Sequence, residues 1–213
     1  MEVDQSFEAI GNTLKRASAA LREAGLPFLL GGSLASWARG GPETRHDLDL
    51  MLKPEDADEA LEVLAAAGMR PERPPEGWLY KAWDGDVLVD LIFGPKGLDI
   101  TDEVIARGDE LELLGVHTRV MALEDVVATK LLAFDEHTLD YSTLLQVVRA
   151  LREQIDWEAV RRRTHGSPFA SAFFVLVHEL GIADPDAGPP SRPPGRSHVR
   201  VVEPARPSRE APA

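Results

Sequence analysis

Apolar positions recur along this chain with two different periods. Over Phe7–Ala24 the residues Phe7, Ile10, Leu14, Ala17 and Leu21 are spaced three or four apart, which predicts an amphipathic helix, and Gly25 supplies its stop. Short apolar runs at Pro27–Leu30 and Leu48–Leu52 read as buried strands, with about two helical turns over Ser33–Arg39 between them. Pro54–Ala67 returns to helical spacing and carries acids in its first turn, where the helix dipole favours them. Trp78–Trp83 and Val87–Phe93 flank Asp84-Gly85-Asp86 as a hairpin, and Glu110–Leu114 and His117–Val120 turn at Gly115. After Met121 the period is helical throughout, over Leu123–Phe134, Asp140–Gln154, Trp157–Arg163 and Pro168–Leu180. The pattern predicts a mixed α/β domain over residues 1–121 and a small helical domain over residues 122–183.

Composition adds a third segment. Residues 184–213 contain eight prolines and few large apolar side chains, the make-up of a disordered tail. The net charge of −13 argues against a general nucleic-acid-binding surface, which needs a basic stripe. The absence of cysteine excludes disulfides and thiolate-bound zinc. The N-terminus starts acidic and amphipathic, unlike a secretory leader, and no run approaches the ~20 apolar residues of a membrane span. The expectation is a cytoplasmic protein with no membrane partner.

The chemistry concentrates where acids interrupt apolar strands. Residues i and i+2 of a strand share a face, so Asp47 and Asp49 project together, about 7 Å apart, while Leu48 and Leu50 face the core. Like charges this close repel unless a cation lies between them, and Mg²⁺ takes such carboxylates while leaving positions for phosphate. Asp90 interrupts VLVDLIFG in the same manner. If its strand pairs beside Leu48–Leu52, Asp90 lies roughly 5 Å from one of the other acids. Three carboxylates on one sheet face would hold two metals about 3.5–4 Å apart, an arrangement for in-line displacement at phosphorus. Gly31-Gly32-Ser33 sits between a strand and a helix start, where glycine admits close approach and free N–H groups bind phosphate. Ser33 also reads as an N-cap.

Gly31-Gly32-Ser33, a helix, Asp47-Leu48-Asp49-Leu50 and a distal Asp90 together resemble the DNA polymerase β-type nucleotidyltransferase superfamily. The resemblance covers roughly Phe28–Gly94. It implies that Asp47 and Asp49 bind metal and that Asp90 is the third carboxylate, supporting metal and nucleophile. Gly31, Gly32 and Ser33 would hold nucleotide. Within the superfamily the chain resembles AbiEii-like toxins, which carry a lysine on a helix after the sheet, and LEDVVATKLLAF puts Lys130 there. Where those toxins carry an Arg-Asp pair, this chain has His137 and Asp140, of which only the aspartate matches. It resembles small aminoglycoside-type nucleotidyltransferases equally. The implied reaction is attack by a hydroxyl on the α-phosphorus of an NTP, with two Mg²⁺ ions. The acceptor is a tRNA 3′ end or a protein, with an antitoxin as partner, or else a small hydroxylated molecule. A non-catalytic nucleotide- or partner-binding member is the remaining alternative.

Each residue also has a plainer reading. Lys130 is either a phosphate contact or a solvated lysine, and Asp140 either a site residue or a helix cap. His137 would line the cleft if the helix carrying Lys130 ran that far. His46 reads as a rim residue, Arg161–Arg163 as a solvated face, and Trp37 and Trp83 as core.

Overall fold

The computed structural model describes residues 2–43 and 47–183, with side chains from Phe7 onward. The proline-rich tail and His46 lie outside the described residues. In chain order the elements are α1 (Glu2–Glu23), β1 (Leu29–Leu30), α2 (Gly32–Trp37), β2 (Leu48–Met51), α3 (Ala57–Ala66, entered through a 3₁₀ turn at Pro54–Asp56), β3 (Arg70–Glu72), β4 (Leu79–Asp84) and β5 (Val87–Ile92). There follow α4 (Asp102–Ala106), β6 (Asp109–Leu113), β7 (Val116–Val120), α5 (Leu123–Ala133), α6 (Ser142–Leu151), α7 (Trp157–Arg163) and α8 (Pro168–Glu179).

The strands form one seven-stranded sheet in the order β3-β4-β5-β2-β1-β7-β6. It is mixed: β2–β5 and β1–β7 run parallel, and the other neighbours antiparallel. The expected α/β class is the one observed. Helix α1 buries Ile10, Leu14, Ala17 and Leu21, as its spacing requires. It stops at Gly25, whose φ of 73° lets its N–H reach the Arg22 carbonyl at 3.0 Å while Leu26 N–H reaches Leu21 at 2.9 Å, the Schellman closure.

Two elements left no pattern to read. Strand β3 is Arg-Pro-Glu, exposed at every position, and an edge is where a sheet tolerates proline. Helix α4 has five residues and is held by Thr101, whose hydroxyl accepts from Val104 N–H at 3.4 Å.

Apolar residues form two clusters, one around the sheet and one among the C-terminal helices. Helix α5 serves both: Val126 packs into the first, and Leu123, Val127 and Leu131 into the second. Asp125, fully buried on this helix, accepts from Arg107 Nε at 2.6 Å and Nη2 at 3.0 Å, and Arg163 Nε approaches it to 3.2 Å. A buried carboxylate bracketed by two guanidiniums ties α5 to the end of α4 and the end of α7. Arg163 is therefore part of an internal ion cluster, a correction to the solvated face expected of Arg161–Arg163. Trp37 packs partly buried against the first core and meets the Phe7 ring at 5.3 Å. Trp83 is corrected from core to half-buried: its Nε1 donates to Glu72 at 2.9 Å and Arg70 lies 5.4 Å from its ring centroid.

Candidate active site

The site forms where β2 and β5 run side by side. Their register sets Leu48 against Val89, Asp49 against Asp90 and Leu50 against Leu91. The leucines and Val89 are fully buried on one face. Strand alternation therefore puts Asp49 and Asp90 together on the other face, on neighbouring strands about 4.8 Å apart. The row continues outward, because Lys81 on β4 opposes Asp90 and Glu72 on β3 opposes Lys81. Lys81 Nζ donates to Asp90 Oδ1 at 3.1 Å. Four strands thus carry a charged line, Glu72–Lys81–Asp90–Asp49, across the sheet face.

On the other side of Asp49 comes the Gly-Gly turn. Gly31 N–H donates to the Asp49 carbonyl at 2.8 Å. Gly32 has φ +57°, and a Cβ there would lie 1.6 Å from Asp49 Oδ2. The second glycine is thus required twice, by its backbone conformation and by the carboxylate pressed against it. Helix α2 begins at Gly32 with Gly31 as its N-cap and no side-chain cap, a correction to the capping role expected of Ser33.

Burial pushes the Asp49 carboxyl up to about 6, with Asp90 and then Asp47 adding to the rise and Lys130 and Lys81 opposing it. Asp90 is also raised, by burial first and Asp47 among the charges, against the Lys81 hydrogen bond. The fold brings negative charge together faster than its own cations neutralise it. Asp47 is exposed just ahead of β2. Among the described residues no group of three or more His, Asp or Glu side chains is gathered as a metal-binding cluster. The donors best arranged for a divalent cation are the Asp49–Asp90 pair, hard oxygen ligands whose raised carboxyls a cation would lower.

A cavity of about 630 Å³ opens beside Asp49, lined also by Gly32, Met51, Trp78, Lys96 and Lys130. Helix α5 roofs it with Val126, Thr129, Lys130 and Ala133. The acids one to two turns before Lys130 on α5 are engaged elsewhere, Asp125 by the two arginines and Glu124 by Asp156 N–H at 3.1 Å. Lys130 lines the cavity together with Asp49 and its charge opposes the rise of the Asp49 carboxyl. Helix α5 ends at Ala133, so His137 does not share its face; its N–H donates to Asp135 at 2.8 Å in an exposed turn. Asp140, also exposed, accepts from Ser142 N–H at 2.8 Å and from its hydroxyl at the start of α6, which holds its carboxyl below the usual range. Neither His137 nor Asp140 lines the cavity.

Lys81, Trp78 and Lys96 were not singled out by sequence reasoning. Lys81 had a signal: the tight turn at Gly85-Asp86 pairs Asp84 with Val87 and, three steps along each strand, Lys81 with Asp90. Trp78 and Lys96 reach the cavity from loops, where no periodicity applies.

The two carboxylates in register, the left-handed Gly32 against one of them and the helical lysine lining the same cavity make this the candidate site. The chain belongs to a family of uncharacterised nucleotidyltransferases, whose model matches residues 5–182. Its fold is similar to the solution structure of the antibiotic-resistance factor ANT(2'')-Ia, at 21% identity and a TM-score of 0.57 over 86% of this chain and 100% of that one. It is similar also to crystalline ANT(2'')-Ia in complex with adenylyl-2''-tobramycin, at 20% identity and a TM-score of 0.56 over 76% of this chain and 98% of that one. No curated protein matches the chain. No helix among the described residues is long and apolar enough to cross a membrane.

Proposed function

We propose that this nucleotidyltransferase moves an NMP from an NTP to a hydroxyl of a small cationic acceptor of the amino-sugar kind, with release of pyrophosphate and dependence on a divalent cation. The observation that carries the reading is the in-register Asp49–Asp90 pair, closed on one side by Gly32, with Lys130 lining the same cavity as Asp49. Asp49 and Asp90 would hold the cation, with Asp47 at the exposed rim. Bound there, a divalent ion supplies charge neutralisation at the α-phosphoryl group.

The chain's own residues do the rest. Asp90, in register with Asp49 on the neighbouring strand, accepts the proton of the attacking hydroxyl. Lys81 holds that carboxylate in place through its 3.1 Å contact. Lys130 meets the negative charge that builds on the leaving pyrophosphate. Gly32 and Ser33, at the start of α2, bind the β- and γ-phosphates.

The net charge of −13 supports a cationic acceptor and opposes a polyanionic one. The likeness in fold to ANT(2'')-Ia, one structure of which holds adenylyl-2''-tobramycin, supports the same choice. Incubation with each NTP, Mg²⁺ and separate aminoglycoside, total tRNA and protein-extract acceptors tests it by mass spectrometry. An NMP adduct on the amino sugar is the expected product. An adduct on tRNA or on a protein would shift the assignment to a toxin-like role with an antitoxin partner, and no adduct on any of the three would remove it.

A further inference from the structure

We propose that Trp78 and Lys96 form the nucleotide subsite of the cavity, the indole stacking on the base and the ammonium joining Lys130 on the triphosphate; this rests on the reading of the cavity as a nucleotidyltransferase cleft. Trp78 is a large aromatic left 42% exposed, and it lines the same cavity as Asp49 and Lys130. An exposed indole beside cations suits a ligand that is planar and apolar at one end and anionic at the other.

The wall is built rather than loose. The Trp78 carbonyl accepts from Phe93 N–H at 3.1 Å and from Gly94 N–H at 3.0 Å. A Cβ on Gly94 would lie 3.2 Å from Trp78 Cβ and 3.5 Å from its Cα, so glycine lets the chain lie close against Trp78. On the far side of this loop a Cβ on Gly97, whose φ is +77°, would lie 2.5 Å from Leu132 Cδ1 on α5. The segment Gly94-Pro95-Lys96-Gly97 is thus wedged between Trp78 and α5, and Lys96 is carried on it into the cavity lining.

Charge separates the two substrates. The cavity lining contains two lysines and a single carboxylate, Asp49. Asp47, Asp90 and Glu72 lie off it, on the sheet row and rim beyond Asp49. An anionic nucleotide fits the lysine side, and a cationic acceptor fits the acidic side, with Asp49 between them. Because stacking uses the π-face that every base has, the subsite predicts weak discrimination among the four bases.

The full chain, its Trp78→Ala and Trp78→Phe variants and Lys96→Ala are titrated with a non-hydrolysable NTP analogue and Mg²⁺, following tryptophan fluorescence and calorimetric Kd. Thermal melts establish that each variant is folded. The wild type should bind with quenching. Trp78→Ala should weaken binding by about tenfold or more, and Trp78→Phe should keep most of the affinity while abolishing the quench. Lys96→Ala should weaken triphosphate binding more than nucleoside binding. In steady state the KM for NTP should rise and the KM for acceptor stay unchanged. Wild-type affinity in folded Trp78→Ala, or a rise in acceptor KM instead, overturns the subsite while leaving the transferase reading intact. Failure of the wild type to bind any NTP sinks that reading, and the subsite with it.

Discussion

Replacing Asp49 by Asn should stabilise the metal-free protein while destroying its activity. Burial and the neighbouring acids lift the Asp49 carboxyl from 3.8 to about 6. At ~1.4 kcal/mol per tenfold, this disfavours the ionised form in the folded state by about 3 kcal/mol. The sign follows from proton binding. The folded state holds this proton to a higher pH than the unfolded chain does, so stability falls as pH rises from about 4 through about 6. Above that range the whole penalty is present in the wild type and absent in Asp49→Asn, which keeps the side chain's shape without its charge. For a chain of this size the difference corresponds to about 6–12 °C in Tm at pH 8. Added Mg²⁺ should raise the wild-type Tm, since it binds the folded state, and leave the variant unchanged. The assay is a set of thermal melts of both proteins from pH 4 to pH 8, with Mg²⁺ and with a chelator. An Asp49→Asn protein no more stable than wild type at pH 8 without metal, or a gap that fails to close on acidification, would refute the reasoning.

Three further outcomes follow from single contacts. Gly32→Ala must adopt φ +57° with its methyl directed at Asp49 Oδ2; a loss of about 1–2 kcal/mol in denaturant unfolding, with activity falling much further as the carboxylate is displaced, is the expected result, and retained activity would contradict it. Lys130→Ala should lower kcat/KM by about 100-fold in a pyrophosphate-release assay, and Lys130→Arg should restore part of it, with wild-type kinetics in the alanine variant being the contrary finding. Asp125→Ala leaves Arg107 and Arg163 facing each other without their shared carboxylate, so thermal unfolding should report a loss of about 3–5 kcal/mol, and an unchanged Tm would show the cluster to be dispensable.

The sequence carried most of this architecture because its signals are local. Helices α1, α7 and α8 follow from helical spacing, and the stop of α1 from Gly25. The Asp49–Asp90 neighbourhood followed from two acids interrupting apolar strands, together with the strand pairing assumed between them. What could not be read was set by distant contacts or by too few residues. Of the strand read over Pro27–Leu30 only Leu29–Leu30 pairs, between β2 and β7, so its existence was legible and its length was not. Strand β3 lies wholly exposed at the edge. The position of His137 depended on where α5 stops, and the chain turns at Phe134, which is extended at φ −63°, ψ 145°. Arg163 looked like part of a solvated triplet because its partner Asp125 is 38 positions away. Trp78 and Lys96 sit on loops whose approach to the cleft is decided by the glycines at 94 and 97 and the side chains they admit.

The most direct test of nucleotidyl transfer follows two labels through one reaction. The chain is incubated with Mg²⁺, an aminoglycoside acceptor and the same NTP labelled either at the α- or at the γ-phosphorus, beside Asp49→Asn and Asp90→Asn controls. The account predicts that the α label appears on the acceptor, that the γ label leaves only as pyrophosphate, and that both controls are inactive. Transfer of the γ label to the acceptor, or transfer of the α label by either control at the wild-type rate, would contradict it.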